Sequence, residues 1–406
     1  MRVCLIGATH PCHNPRLLRE ADTLAEAEHD VRVVSPAFMP DLEENDQRQI
    51  ARRKWRVEKV NYLPVGRLGM CRSVMIRGRR RLAQSVFQKI KNLSIGLYAY
   101  TAAFPELTAL ALREPADWFI AHAHATLPIA AAAAQRWHAR LGFDCEDWLA
   151  ENGTDPVEIV RLIEREYLHA CDYVSAPCMG IAERLAQVYG VREPLLLYNV
   201  FPEYLADKMP APTARETGPI LKIHWFGQTI GPGRGIEDAV QAAGMLGQQV
   251  ELHLRGNPAH GYREALEVLA QGAGATLQFH PQIDHDDLIK SLGQFDVGLS
   301  LERPDHGNYS LAATNKFFSY MLGGLALAVT DTPGHKEILQ QVPSAGFIYC
   351  AGQPQVLAAG LRRWLHDREA LHSAQQAAWD AARKKFCWDI EKEKFLELFR
   401  ADSLSA

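Results

Sequence analysis

The sequence predicts an α/β protein with two domains, each built on a doubly wound parallel sheet. The chain has 406 residues, more than one hydrophobic core usually supports. Short apolar runs alternate with longer helical patterns, first at residues 3–7, 14–27 and 31–34, which is typical of βαβ units. The alternation stops at a Pro-, Ala- and Thr-rich segment, residues 202–219, and resumes at 221–226. Parallel strands need helical crossovers that cover both faces, so the pattern predicts one such sheet on each side of the break.

The same pattern predicts the later elements and the domain boundaries. We expect an N-terminal domain over residues 1–200, a linker over 201–219 and a C-terminal domain over 220–385. The amphipathic segment 377–398 predicts one long final helix. Further strands are expected at 118–121, 173–175, 195–198, 250–254, 276–279, 297–300, 325–329 and 346–349.

Composition limits the class of protein. Hydrophobic residues make up 47% and charged residues 23%, so two globular cores are expected and general nucleic-acid binding is disfavoured by the net charge of -4. The eight cysteines form no Cys-x-x-Cys pair, which favours free thiols in a reducing cytosol. No run of about 18 uncharged apolar residues occurs. We therefore expect a cytoplasmic protein, in solution or peripheral at the inner face of the membrane.

Residues 313–331 carry the most informative pattern. Thr314 is a predicted N-cap, Asn315 and Lys316 follow it, two glycines end the helix, and an apolar strand comes next. The N-terminus of such a helix attracts anions, and Lys316 adds a full charge, so the segment predicts a diphosphate site. An ordinary αβ unit has the same pattern.

Similar signals occur at the ends of other predicted strands. Gly227 and Gln228 precede a Gly-Pro-Gly-Arg-Gly loop whose Arg234 is a candidate diphosphate ligand. Arg255 ends the next strand on the same side of the sheet, or is a surface residue. In the first half of the chain, polar residues lie at strand ends or in the turns after them: His10, His13, Arg16, His124 and Glu146. Ligands bind beyond the carboxyl ends of the strands in such sheets, so these residues are candidate ligand contacts. The alternative is that they are helix caps or structural residues.

These segments, in this order from residue 2 to residue 338, resemble the retaining GT-B glycosyltransferases of the family 4 type. The resemblance implies two Rossmann-like domains facing a cleft, with residues 386–406 packing back on the acceptor-binding N-terminal domain. It implies a catalytic role for His124 beneath the transferred sugar. It further implies that the donor diphosphate is bound by Arg234, Lys316, Asn315, Thr314, Gly227 and Gln228, the donor nucleoside and sugar by Arg255, Glu302 and Ser319, and the acceptor or cleft by His10, His13, Arg16 and Glu146.

The chain departs from the family pattern at several positions, and one of them is Gln228, where the family usually has an arginine. The paired glutamates spaced eight residues apart are replaced by Leu311 and Ser319, and Glu302 in a neighbouring loop is the candidate substitute. Glu146 stands where the family has a histidine, so that position only accepts hydrogen bonds. These departures leave open a different donor or a degenerate relative.

A basic block lies within the first half of the chain, between the predicted strands at 31–34 and 118–121. Residues 48–91 contain fourteen Lys or Arg and one acid, and a helix through residues 77–91 would carry Leu82, Val86, Phe87 and Ile90 on one face. This pattern predicts that residues 72–91 contact an anionic membrane. The alternatives are that the cations form a solvated face or that they line a groove for an anionic acceptor. Nucleic acid is not expected as a partner because no aromatic residues are interleaved with the cations.

The resemblance thus implies carbohydrate biosynthesis by a glycosyltransferase. A sugar would pass from a nucleotide diphosphate sugar, with UDP or GDP, to a glycan, lipid-linked or small-molecule acceptor, with retention of configuration. The resemblance also implies that the enzyme uses no cofactor and no metal, because the nucleotide sugar is a substrate. A GT-B sugar-nucleotide epimerase and a non-catalytic nucleotide-sugar-binding relative are the alternatives.

Overall fold

The computed structural model describes residues 1–151, 156–215, 218–303, 311 and 313–403. The chain forms two compact units of parallel-sheet α/β structure. The first comprises Met1–Pro177, Ile181–Leu197 and Phe395–Ala406, and the second comprises Cys178–Gly180 and Tyr198–Lys394.

The first unit contains a sheet of seven described strands in the order β3-β2-β1-β4-β5-β6-β7, paired in parallel. The order reverses between β1 and β4, where open sheets of this class bind ligands beyond the carboxyl ends of the strands. The elements along this part of the chain are β1 (Arg2–Gly7), α1 (Pro15–Glu26), β2 (Asp30–Ala37), α2 (Pro40–Ile50), β3 (Arg56–Asn61), α3 (Gly66–Lys89), α4 (Leu93–Tyr100), α5 (Phe104–Ala111), β4 (Trp118–His122), α6 (Leu127–Trp137), β5 (Arg140–Asp144), α7 (Val157–Tyr167), β6 (Tyr173–Ala176), α8 (Met179–Tyr189) and β7 (Leu195–Leu196).

The second unit contains a sheet of six described strands in the order β10-β9-β8-β11-β12-β13, also parallel. Both sheets confirm the predicted fold class. The elements are β8 (Leu221–Ile230), α9 (Ile236–Leu246), β9 (Val250–Pro258), α10 (Tyr262–Ala273), β10 (Thr276–His280), α11 (His285–Leu292), β11 (Val297–Ser300), α12 (Asn315–Leu322), β12 (Ala326–Thr330), α13 (Pro333–Leu339), β13 (Gly346–Tyr349), α14 (Pro354–His366), α15 (Arg368–Lys384) and α16 (Trp388–Ser403).

Apolar strands and the helix faces that pack on them form each core. In the second unit β8, β9, β11 and β12 supply fully buried Leu, Ile, Val and Ala side chains. In the first unit the core includes Trp118 of β4, and Phe399 of α16 lies with its ring centroid 5.3 Å from that of Trp118. Phe395 packs in the same cluster, so the end of the chain completes this core.

Two elements differ from the sequence-based predictions. Strand β3 was not predicted because half of its residues are charged, and it lies at the edge of the sheet, where charged residues are common. The single final helix predicted over 377–398 was wrong. α15 ends at Lys384 and α16 begins at Trp388, because Phe386 is buried and Cys387 forms a parallel bridge with Phe201.

Candidate active site

The glycine-rich loop of the second unit lies between β8 and α9. Gly235 is the N-cap of α9 and has φ 69°, in the left-handed region that favours glycine. A Cβ at this position would lie 2.5 Å from the carbonyl oxygen of Leu301, so a side chain is excluded. The backbone of Arg234 therefore lies near the end of β11 and directly before α9, whose first N–H groups have no partner within the helix.

Gly227 has a packing role in the structure. The pairing of β8 with β9 shifts register between Phe226 and Thr229, and there Gly256, with φ 143°, approaches Gly227. A Cβ on Gly256 would lie 2.2 Å from the carbonyl oxygen of Gly227. Gln228 is exposed on the irregular stretch. The glycines thus permit two strands to approach closely, and diphosphate contacts of Gly227 and Gln228 remain predictions.

Helix α12 begins where the sequence predicts, with Thr314 as its N-cap. The Thr314 hydroxyl makes no capping bond and instead donates to Glu302 Oε1 at 3.3 Å. Asn315 is exposed at the first helical position. Lys316 Nζ lies 2.5 Å from Glu302 Oε1, and the two side chains are 13% and 5% exposed. Lys316 therefore lies at the helix N-terminus and forms an ion pair with Glu302.

Glu302 is the centre of a buried polar cluster that the sequence did not reveal. Its Oε2 accepts a hydrogen bond from the Ser300 hydroxyl at 2.7 Å and lies 3.3 Å from His335 Nε2. Burial alone would raise the pKa of Glu302, but Lys316 and His335 outweigh it and hold the pKa well below its usual range. Thr332 caps α13 by accepting from the His335 N–H at 3.3 Å. This Thr-Pro cap is the one sequence signal that could have located His335.

Arg255 and Ser319, the predicted contacts of the donor nucleoside and sugar, both make hydrogen bonds within the second unit. Arg255 Nη1 donates to the Pro281 carbonyl at 2.9 Å, and partial burial lowers the pKa of its guanidinium. Ser319 is buried, and its hydroxyl donates to the carbonyl oxygen of Asn315 at 2.8 Å. That donor is thus used within α12 while the hydroxyl oxygen can still accept, and the contact of Ser319 with the donor nucleoside remains a prediction. Leu311 is half-buried.

In the first unit, His10 is fully buried and bonded at both ring nitrogens. Nδ1 lies 2.8 Å from Asp46 Oδ2, while Nε2 accepts from the backbone N–H groups of Phe38 and Met39 at 2.9 and 3.1 Å. With Nε2 accepting, Nδ1 is the ring nitrogen that donates to Asp46. His10 thus joins the loop after β2 to α2, and this geometry favours a structural role. His13 is exposed.

Arg16 and Glu146 belong to a buried network behind the β4 and β5 ends. Arg16 donates to both carboxylate oxygens of Asp144, at 2.7 and 2.6 Å, and to the Leu197 carbonyl at 3.0 Å. Glu146 accepts from Asn14 Nδ2 at 2.5 Å and lies 3.4 Å from His122 Nδ1. Arg16 therefore links the end of β5 to the segment after β7 from a buried position, while Glu146 is partly exposed.

His124 is also buried. Its Nε2 lies 2.8 Å from Glu164 Oε1, its side chain is 1% exposed, and Glu164 Oε2 accepts from the Tyr189 hydroxyl at 2.6 Å. In this arrangement the imidazole stabilises the packing of α7 and α8. The predicted catalytic role is a hypothesis that the geometry does not favour.

Two groups of side chains in the described residues have the spacing of metal ligands. They are His10, Glu43 and Asp46, and Glu20, His122 and Asp144. In the first, Lys59 Nζ lies 2.8 Å from Glu43 and 2.9 Å from Asp46. In the second, Arg16 occupies both oxygens of Asp144. Each group thus already contains a cation from the chain, which an added metal ion would have to displace.

Helix α3 presents the basic block. Val86 is half-buried and Phe87 is buried against Gly96, so the predicted apolar face was wrong for these two residues. The exposed apolar side chains of this helix are Leu68, Met70, Val74, Met75 and Leu82, with Ile90 just after it. Of the described helices, none has both the length and the apolar character needed to cross a membrane.

Comparisons with known proteins agree with this architecture. Residues 13–198 match the family model of the glycosyl transferase 4-like domain. No curated protein sequence matches the chain.

Solved structures match the full length of the chain. A sucrose-phosphate synthase from Thermosynechococcus elongatus has a TM-score of 0.70 and 14% identity, with 100% of both chains covered. HepE from Anabaena, solved with UDP, has a TM-score of 0.67 and 14% identity over 99% of this chain and 100% of HepE. A Listeria monocytogenes protein designated a UDP-N-acetylglucosamine 2-epimerase has a TM-score of 0.57 and 12% identity, covering 100% and 97%. At these identities the likeness shows the fold, which is GT-B.

Proposed function

We propose that this protein, which has the GT-B fold and whose residues 13–198 match a glycosyl transferase 4-like domain, is a glycosyltransferase that transfers a sugar from a nucleotide diphosphate sugar to an acceptor with retention of configuration. The acceptor is a glycan, a lipid-linked saccharide or a small molecule. We propose UDP as the first nucleotide to test because HepE is solved with UDP.

One observation carries the donor assignment. Arg234 and the N-terminus of α9 lie beside the end of β11, at the same sheet edge from which Glu302 pairs with Lys316 at the start of α12. Two helix N-termini supply N–H donors and positive dipole ends, Arg234 supplies a guanidinium, and Lys316 supplies an ammonium that is shared with Glu302. Such an arrangement suits a diphosphate leaving group, whose charge grows in the transition state.

Glu302 would preorganise Lys316 for this task. The carboxylate holds Lys316 Nζ at 2.5 Å, and Ser300 and His335 fix the carboxylate in turn. A bound diphosphate would share the ammonium with Glu302. The site then needs little rearrangement when charge develops on the leaving group, which is the condition under which electrostatic stabilisation is effective.

The absence of metal and cofactor chemistry belongs to the same proposal. Arg234 and Lys316 would neutralise the leaving diphosphate, the role that a divalent cation has in other transferases. With transfer on one face of the sugar, the leaving phosphate itself accepts the proton of the acceptor hydroxyl. No general base is then required, which agrees with the internally paired state of His124.

Two alternatives have specific support. The Listeria protein shares the fold, which supports a sugar-nucleotide epimerase. Leu311 and Ser319 in place of glutamates support a non-catalytic relative that binds nucleotide sugars. Incubation with UDP-N-acetylglucosamine without acceptor distinguishes the alternatives, since only an epimerase changes the configuration of the free donor.

The test is a thermal-shift screen with UDP, GDP, ADP, TDP and CMP, followed by titration of the best ligand. A ligand at a hundred times its dissociation constant stabilises by about 2.7 kcal/mol. Arg234→Ala should weaken binding of the diphosphate by about tenfold or more and leave the nucleoside unaffected. Arg263→Ala, which removes a surface arginine paired with Glu267 on α10, is the matched control. Unchanged diphosphate affinity in Arg234→Ala would remove this residue from the site.

We also propose that α3 attaches the protein reversibly to the cytoplasmic face of an anionic membrane. The helix has seven Lys or Arg and no acid, and Leu68 and Leu82 are 88% and 68% exposed. Leu68→Gln/Leu82→Gln should lose binding to vesicles containing phosphatidylglycerol. The matched control Val268→Gln changes an apolar residue that is 70% exposed on α10. Equal sedimentation of the two variants would contradict membrane contact through α3.

A further inference from the structure

A cavity of about 620 Å³ opens at the carboxyl ends of the strands in the first unit. Ala8 follows β1, Phe38 follows β2 and Tyr62 follows β3, and all three line it. Helix α3 forms the opposite side. A cavity of this size at this edge suits a small ligand such as a mono- or disaccharide.

The α3 side of the cavity is strongly cationic. Arg77, Arg80 and Arg81 line it, and the lining residues include no carboxylate. The nearby acid Glu106 is already engaged, since Arg79 donates to it at 2.8 and 2.6 Å. Arg80 Nε donates to the Ala99 carbonyl at 3.2 Å, which fixes the helix against α4. The positive charge in the cavity is therefore not neutralised by its own walls.

The opposite wall is aromatic and rigid. Phe38 stacks on Tyr62 with ring centroids 5.7 Å apart and an interplanar angle of 17°. The Phe38 N–H donates to the buried His10 Nε2, so the loop is held from beneath. Burial raises the pKa of Tyr62 while Arg77 and Arg80 act to lower it, which is expected if the guanidinium groups face the ring.

We infer that this cavity binds the acceptor and that the acceptor is an anionic saccharide, whose phosphate or carboxylate lies between Arg77, Arg80 and Arg81 while its ring packs against Phe38 and Tyr62. Guanidinium groups bind planar and tetrahedral oxyanions with paired hydrogen bonds, and an apolar ring face suits an aromatic wall. The identification of the ligand as the acceptor rests on the proposed glycosyltransferase function. The anion preference rests on the cavity alone.

The test is calorimetric titration of the full chain at low ionic strength, where exposed charges are least screened. The probes are glucose 6-phosphate, glucuronate and glucose. At least one anionic sugar should bind tenfold or more tightly than glucose. Arg77→Gln/Arg81→Gln should abolish that preference. Arg67→Gln/Arg72→Gln is the control, because it removes the same charge from the same helix outside the cavity.

Equal affinity for the three probes would overturn the inference, and so would equal loss in the two double variants. A preference that the cavity variant abolishes supports it even if UDP does not bind, in which case only the proposed donor fails. Vesicles containing phosphatidylglycerol identify the source of the anion. A lipid headgroup is indicated if the cavity variant loses more vesicle binding than the control, and a soluble anion if both lose the same amount.

Discussion

The ion pair between Lys316 and Glu302 offers the sharpest test of the donor site. Lys316→Met keeps the length and apolar stem of the side chain and removes its charge. The ammonium lies 2.5 Å from Glu302 Oε1 and 5.7 Å from the centroid of the Trp225 ring. Both members of the pair are largely buried, so the substitution affects nucleotide binding and stability through the same carboxylate.

The two effects have different magnitudes. Loss of one charge-assisted contact to the diphosphate costs about 1.5 to 3 kcal/mol, which weakens binding by roughly 10- to 150-fold. Removing one partner of a buried ion pair costs about 3 to 5 kcal/mol of stability. Glu302 keeps its contacts with Ser300 and His335, so we expect about 3 kcal/mol, at the lower end of that range.

The assay compares UDP with uridine by calorimetry and measures urea unfolding of each variant. Lys316→Met should weaken UDP binding and leave uridine binding within about twofold. Adding Glu302→Gln should restore part of the stability, because the unpaired charge is gone, without restoring UDP affinity. Lys290→Met is the control, since its pair with Asp287 is exposed and worth about 0 to 1 kcal/mol. Unchanged UDP affinity in Lys316→Met would refute the diphosphate role.

Three further predictions follow from the same structure. His124→Ala should lower the stability by about 1 to 3 kcal/mol, as should Tyr189→Phe, which removes the other bond to Glu164. If His124 acts on the sugar, His124→Ala should lower kcat at unchanged KM while Tyr189→Phe should not. Equal kcat values in the two variants would indicate that His124 has only a structural role. Gly235→Ala should destabilise more than Gly261→Ala in urea unfolding. Both glycines are helix N-caps in the left-handed conformation, at φ 69° and 72°, but only the first lies against a neighbouring backbone; equal losses would contradict this. Burial alone would raise the pKa of Asp46, but hydrogen bonds from His10 and Lys59 bring it down to about 2. This depressed value contributes stability above the unfolded pKa of about 4 that is lost as pH falls toward 2. Unfolding midpoints at pH 6 and pH 3 should therefore differ less in Asp46→Asn than in the parent.

The sequence predicted those features that a short stretch of chain specifies. The apolar runs of both sheets were located correctly, as was the start of α1, where Asn14 accepts from the Leu17 N–H at 3.0 Å. The glycine-rich loop was also located correctly, and its last glycine, Gly235, is the N-cap of α9. In each case the sequence pattern and the hydrogen bond or buried side chain that it predicts lie within a few residues of each other in the chain.

The basic helix α3 shows where this reasoning is less successful. Its cations were visible in the composition, but the inward direction of Phe87 and the engagement of Arg79 by Glu106 were not. The rotation of an amphipathic helix about its axis depends on which neighbour covers it. That neighbour is α4, and the sequence contains no signal for the pairing.

The sequence by itself determined the fold class and the positions of the glycine-rich loop and the α12 N-terminus, because backbone conformation and burial follow local residue patterns. Only the tertiary structure decided which charges are paired. Arg16 meets Asp144 across 128 positions of the chain, and Lys316 in the first turn of α12 meets Glu302, which lies just after the end of β11. Ion-pair partners are chosen by distance in space, and a one-dimensional pattern does not contain that distance.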